Sequence, residues 1–179
     1  MAPSAGELHL MAYVAQLTSL YDDQPLDEWR YRFAGTTAGS PFSPELDIAV
    51  DHSIAIGELS DSNGLLNVVE SGRRTLAILA SLDPNVRRAK YLDAAISCSL
   101  VLPMSLLRQG LAGDPELGAA LTLRSARPLL AEPSLEWLRG QFATVRDSLG
   151  DMASVAAPAA AWLTALAHAS LVDANRGER

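Results

Sequence analysis

Cysteine is almost missing from this chain: Cys98 is alone among 179 residues. A lone thiol excludes a disulfide within the chain and a zinc site of several cysteines, and its apolar setting in "DAAISCSLVLP" reads as a buried structural side chain. Histidine is equally sparse. His9, His52 and His168 stand far apart, with no spacing that places two ligands on one helix face. Cations are in deficit, 14 Lys and Arg against 21 Asp and Glu, for a net charge of −7. That balance opposes the long-range attraction to phosphate that carries non-specific nucleic-acid binding, so DNA contact would need a local basic patch.

Catalytic signatures are lacking as well. Ser71 in "ESGRR" sits in no G-x-S-x-G turn, the glycines do not cluster into a phosphate cradle, and Asp22-Asp23 and Asp47/Asp51 read as solvated surface. The expectation is a protein without catalytic residues, bound metal or cofactor. No secretory signal opens the chain, because "MAPSAGELHLMAYV" has no basic start and Glu7 and His9 interrupt its apolar part. Long apolar runs are also scarce. The alanine-rich stretch from Met152 to Val172 comes nearest, but Pro158 and His168 favour a packed helix over a membrane span. A cytoplasmic protein without membrane contact is therefore expected.

What is present is helix punctuation. Leu10, Val14, Leu17 and Tyr21 predict a first helix over about 5–20, and "PLDEWRYRF" predicts a short one with Leu26, Trp29 and Phe33 on its face. "AGTTAGS" reads as a loop. Ser43, Pro44 and Glu45 form a strong start signal for a helix whose stripe is Leu46, Val50 and Ile54, stopped at Gly57. Two short strands, 58–61 and 65–69, flank "SNG", whose Asn63-Gly64 pair suits a tight hairpin turn. A helix follows from "ESGRR", with Leu76, Ile78 or Leu79, and Leu82 expected toward the core. Asp83-Pro84, Asp114-Pro115 and Ser134 mark further starts, with Asp83 and Ser134 expected as caps. Val86, Leu92 and Ile96 fit a helix over 85–100, and Pro103 begins another. Leu135, Leu138, Phe142, Val145 and Leu149 form a seam stopped by Gly150. Trp162, Leu166 and Leu171 share a face of the last helix, about 154–173, and "NRGER" ends the chain as a polar tail.

The expected fold is mainly α: a winged-helix-like part with a short β-hairpin over 1–82, then a helical bundle over 83–179 packed on it as one unit. The helix before the hairpin offers Glu45, Asp47, Asp51 and Glu58 where a DNA reader needs basic or amide side chains, and Asp61 adds a charge beside the turn. That face is therefore expected to meet protein. Partner-facing residues are Glu45, Asp47, Asp51, Asp61 and Trp162, while Arg73, Arg74, Arg87 and Arg88 are the positions able to touch phosphate. The apolar stretches 94–107 and 155–171 imply either a covering partner or several fully buried helices.

The stretch from Trp29 to Leu79 resembles the small middle components of bacterial ABC-three-component defence systems, the group that includes the small subunit of Lamassu systems. Tyr31 and Phe33, Ser43 to Leu46, Gly57 to Leu59, and Glu70 to Arg73 carry the resemblance, over under a third of the chain. "AGSPFSPEL" stands where that pattern has a Gly-Pro turn. The resemblance implies an adaptor between an SMC- or Rad50-like ATPase and an effector nuclease, with catalysis in those partners. Two other readings remain open: a winged-helix transcriptional regulator or antitoxin using the four arginines on DNA, and a condensin-type winged-helix accessory subunit.

Overall fold

The computed structural model describes residues 2–132, 134–150 and 154–177, and side chains as far as residue 169. It is mainly α-helical. The centre is α1, Ala5–Ser19, which begins with a full capping box: Ser4 Oγ accepts from the Glu7 amide at 3.3 Å, and Glu7 Oε2 accepts from the Ser4 amide at 2.9 Å. From Leu10 onward every position except Met11 is buried, which the expected single stripe does not explain. A helix covered on all sides belongs to the interior. The hydroxyls at its end are satisfied locally: Thr18 donates to the Ala15 carbonyl, Ser19 to the Gln16 carbonyl, and Trp29 Nε1 donates to Ser19 Oγ.

The segment after α1 departs from the expected helix. "PLDEWRYRF" makes only a 3-10 turn at Leu26–Trp29, closed by Arg30 in the left-handed region at φ 59°. Residues 31–33 then run extended into β1, Ala34–Gly35. The alternation Arg30, Tyr31, Arg32, Phe33 has the period of two that extended chain requires, and that period wins over the helical spacing. Within "AGTTAGS" the chain turns, and β2, Pro41–Phe42, returns antiparallel to β1. β5, Arg127–Pro128, pairs on the other side of β1, giving the order β2-β1-β5.

α2, Pro44–Ala55, starts as its punctuation demands, with Ser43 Oγ accepting from the Leu46 amide at 3.4 Å. Only Val50 of its expected stripe is fully buried; Leu46 and Ile54 are half-covered. The hairpin follows as β3, Leu59–Ser62, and β4, Leu65–Val68, joined by Asn63 and Gly64 at φ 57° and 78°. Two positive φ values in succession are the two-residue turn that matches strand twist, and Asp61 Oδ1 clamps it by accepting from the Gly64 amide at 2.7 Å. β4 is held from outside by the amino terminus, through a bridge from Ser4 to Leu65 and a bond from the Leu66 amide to the Pro3 carbonyl.

α3, Glu70–Leu79, and α4, Asp83–Val101, come next. Asp83 is not the cap of α4: Leu82 holds that position and Asp83 is the first helical residue. α5, Met104–Ala112, and α6, Pro115–Leu123, precede β5. Asp114 caps α6 by accepting from the amides of Glu116 and Leu117 at 2.9 and 3.0 Å. α7, Ser134–Leu149, begins at Ser134, whose hydroxyl donates to Glu116 Oε1 at 2.9 Å and so ties α7 to α6. It stops at Gly150, φ 69°. α8, Ala156–Gly177, is longer than expected and runs into the segment read as a polar tail; Leu171 lies outside the described side chains. Pro158 falls in its first turn, where no amide partner is lost.

One hydrophobic core joins α1 to α4, α5, α6, α7 and α8, from Leu10 and Leu17 through Tyr91 and Cys98 to Phe142, Trp162 and Leu166. α1 packs on α4, α4 on α8, and α5 along α8. Among the described residues no single helix is long and apolar enough to cross a membrane.

Candidate functional site

The acidic residues are placed as the first turns of α2 dictate. Glu45 accepts from Ser43 Oγ at 2.9 Å; its own backbone amide, that hydroxyl and the charge of Arg32 hold its carboxyl below the usual range. Asp47 faces the buried His9, with 3.6 Å between Oδ1 and Nε2, an electrostatic distance too long for a hydrogen bond. His9 Nδ1 accepts from the Ser43 amide at 3.2 Å, so the proton of the neutral ring sits on Nε2, toward Asp47. Asp51 is exposed one turn further on. Asp61 is committed to its own turn. These residues therefore stabilise local structure and leave a negative rim.

Trp162 requires a correction. Expected at a partner surface, it is 1% exposed, stacked on Phe142 at a centroid separation of 4.9 Å. An indole of that area buries best in the core, and α8 turns it inward between α5 and α7. The arginines also separate. Arg73 and Arg74 share Glu70 at 3.5 and 3.4 Å, Arg87 faces Glu28 at 4.0 Å, and Arg88 donates to the Glu28 carbonyl while lying over the Trp29 ring. Each has an acceptor within its own chain. Arg88 in particular braces α4 against the 3-10 turn.

The uncovered apolar surface lies where the core was expected. α3 touches the body through Gly72: a Cβ there would stand 2.2 Å from the Glu58 carbonyl oxygen. Ser71 Oγ donates to the Gly57 carbonyl and Thr75 Oγ1 to Glu58 Oε1, both at 2.6 Å. At about 100° per residue, Gly72, Thr75, Leu76 and Leu79 share one face. The first half of that face is seated and the second overhangs, leaving Leu76 59% exposed and Leu79 and Leu82 also open. α4 repeats the pattern. Its inward face is Tyr91, Ala94, Ala95 and Cys98, the last three small enough to let α1 and α8 approach. Val86, Leu92 and Ile96, whose spacing marked the helix, point the opposite way with Leu100, at 55%, 40%, 47% and 77% exposure. Periodicity reported a face of each helix correctly but could not say which face the rest of the chain covers.

Sequence reading missed a cleft of about 670 Å³ between the 27–33 segment and residues 128–131. Gln16 on α1 is part of its lining, with Leu26, Phe33 and Leu129 as apolar walls and Asp27, Arg30, Arg32 and Glu45 around it. Tyr31 lines it too, and burial pushes its hydroxyl up to about 12, so it remains a neutral donor. Both margins carry strained backbone, Arg30 at φ 59° and Leu130 at φ 58°. The one available sequence signal was the alternation in "WRYRF". Among the described residues no group of three or more His, Cys, Asp or Glu gathers to hold a metal ion. No family model, curated protein or solved structure matches the chain.

Proposed function

We propose that the chain is a non-catalytic adaptor of a bacterial anti-phage complex, joining an SMC- or Rad50-like ATPase to an effector nuclease, with residues 1–82 acting as its winged-helix-like part. The observation that carries this reading is the outward stripe of α4. Val86, Leu92, Ile96 and Leu100 extend over some 14 residues, about 20 Å of helix, and α3 leaves Leu76, Ile78 and Leu79 exposed as well. Burying one such side chain is worth roughly 1.5–3 kcal/mol, so four of them offer on the order of 6 kcal/mol to a partner before association costs. A stripe of this length fits an amphipathic helix laid along it, the kind of element a coiled-coil ATPase supplies.

The acidic rim of α2 supports protein over DNA, since Glu45, Asp47 and Asp51 would repel phosphate. The regulator and antitoxin readings rest on Arg73, Arg74, Arg87 and Arg88, and Glu70 and Glu28 beside them lower the positive potential a phosphate would meet. The test is co-expression with the proteins encoded beside it. The wild-type chain is expected to co-elute with an ATPase-type neighbour, and the double variant Ile96→Glu/Leu100→Glu to elute alone with unchanged unfolding midpoint. A wild-type chain that elutes alone from every neighbour, or a double variant that stays in the complex, defeats the reading.

A further inference from the structure

The outward face of α4 has a symmetry of its own. Leu82 at its cap, then Val86, Ala89, Asp93, Ile96 and Leu100 are all exposed, and they follow one another at steps of 4, 3, 4, 3 and 4 residues. At about 100° per residue the six lie within roughly 40° of one line, the seam spacing of a helix that pairs with another helix. A single carboxylate, Asp93, interrupts four large apolar side chains and one alanine. Lys90 and Leu92 stand on opposite flanks of the seam. The far end of the stripe stays open, because α5 leaves Val101 toward α8, on the buried side of α4.

We propose that in the isolated chain this stripe is covered by a second copy of α4, laid antiparallel about a two-fold axis level with Tyr91. Asp93 decides the geometry. A parallel pair would set Asp93 against Asp93, and an antiparallel pair shifted by one seam step would set it against Ile96 or Leu82. Centred at Tyr91, the antiparallel pair sets it against Ala89 of the second copy, the smallest member of the seam, while Leu82 meets Leu100 and Val86 meets Ile96. The flanks agree. The two-fold axis returns each flank to itself, so Lys90 comes nearly level with Asp93 of the second copy on one side, and Leu92 meets Leu92 on the other. Lys90 Nζ already lies against Asp22 at 2.5 Å, and an ammonium has three protons to donate. A seam of about 27 Å is short, which makes the pairing weak and reversible. It stands apart from the adaptor reading: an ATPase helix on the same stripe displaces the second copy, and the isolated chain dimerises with or without such a partner.

Sedimentation of the full-length chain alone is expected to show a monomer at about 1 µM and mainly a dimer at about 500 µM. Two substitutions at the exposed position 89 separate this register from general stickiness. Ala89→Glu sets a carboxylate against Asp93 of the second copy and is expected to weaken the dimer at least about tenfold, whereas Ala89→Lys sets an ammonium there and leaves its Kd within about threefold of wild type or tightens it. Helical circular dichroism at about 1 µM, where every variant is a monomer, checks that each is folded. A chain that stays monomeric at about 500 µM overturns the proposal, as does a dimer that both substitutions weaken equally or that neither affects. Co-elution with an ATPase-type neighbour tests the adaptor reading separately, and either result stands without the other.

Discussion

Asp114 shows how much a single side chain does here. It is buried, it caps α6 through two backbone amides, and it lies against the Tyr13 hydroxyl, which has no hydrogen-bond partner of its own within geometric limits. Burial raises its carboxyl above the usual range, more than the two amides lower it. The sign follows. A carboxyl whose affinity for a proton is higher folded than unfolded gives stability at low pH that is lost as pH rises through the raised value. At neutral pH the ionised group is therefore less favourable than a neutral residue of the same shape. Asp114→Asn keeps the cap, presents its amide to Tyr13 Oη, and is expected to be more stable than wild type at pH 7. That advantage shrinks as pH falls into the acid range, which urea unfolding at several pH values measures. Asp114→Ala loses the cap and should cost about 1–2 kcal/mol in the acid range, and less at pH 7, where the penalty of the buried ionised carboxyl is removed with it.

Between elements, Gly110 decides how closely two helices approach, while Gly140 has no such role. A Cβ on Gly110 of α5 would stand 2.7 Å from the Leu163 carbonyl oxygen of α8, and backbone atoms cannot step aside as a flexible side chain can. Gly110→Ala is expected to cost about 1–3 kcal/mol by forcing α5 off α8. Gly140 on α7 meets nothing within 4 Å, so Gly140→Ala should stabilise by about 0.5–1 kcal/mol, through helix propensity alone. Urea midpoints of the two variants should move in opposite directions. Elements such as α2, the hairpin and α7 were legible because their signals are local: Ser43-Pro44, Asn63-Gly64 and Gly150 state their backbone conformation by themselves. The orientation of α3 and α4 was not, because an amphipathic period specifies a face and not its cover. Nor was the cleft, since Gln16, Arg30 and Leu129 meet only through folding of distant segments.

For the whole molecule, the issue is whether the halves divided at Leu82 are separable. α1, from the first half, is buried against α4 and takes its place in a core completed by Phe142, Trp162 and Leu163. Residues 1–82 without α4 would expose Leu10, Tyr13, Val14 and Leu17 together, far more apolar surface than a small helical unit tolerates. Cooperative unfolding of the body in one transition is the consequence, with the hairpin and α3 loosening earlier because α3 is seated mainly through Gly72, Ser71 and Thr75. Cys98 reports on that transition directly. It is 1% exposed on the inward face of α4, its Sγ lies 3.7 Å from the Ala156 carbonyl, and burial pushes its thiol up to about 11. Its reaction with an aromatic disulfide reagent should be at least about a thousandfold slower in the native protein than in urea, because the thiol appears only when α4 leaves α8. Its accessibility should then rise with the same urea midpoint as the loss of helical circular dichroism. Exposure of Cys98 well before the helical signal falls would mean that α4 and α8 part locally, and that the two halves are not held by one core.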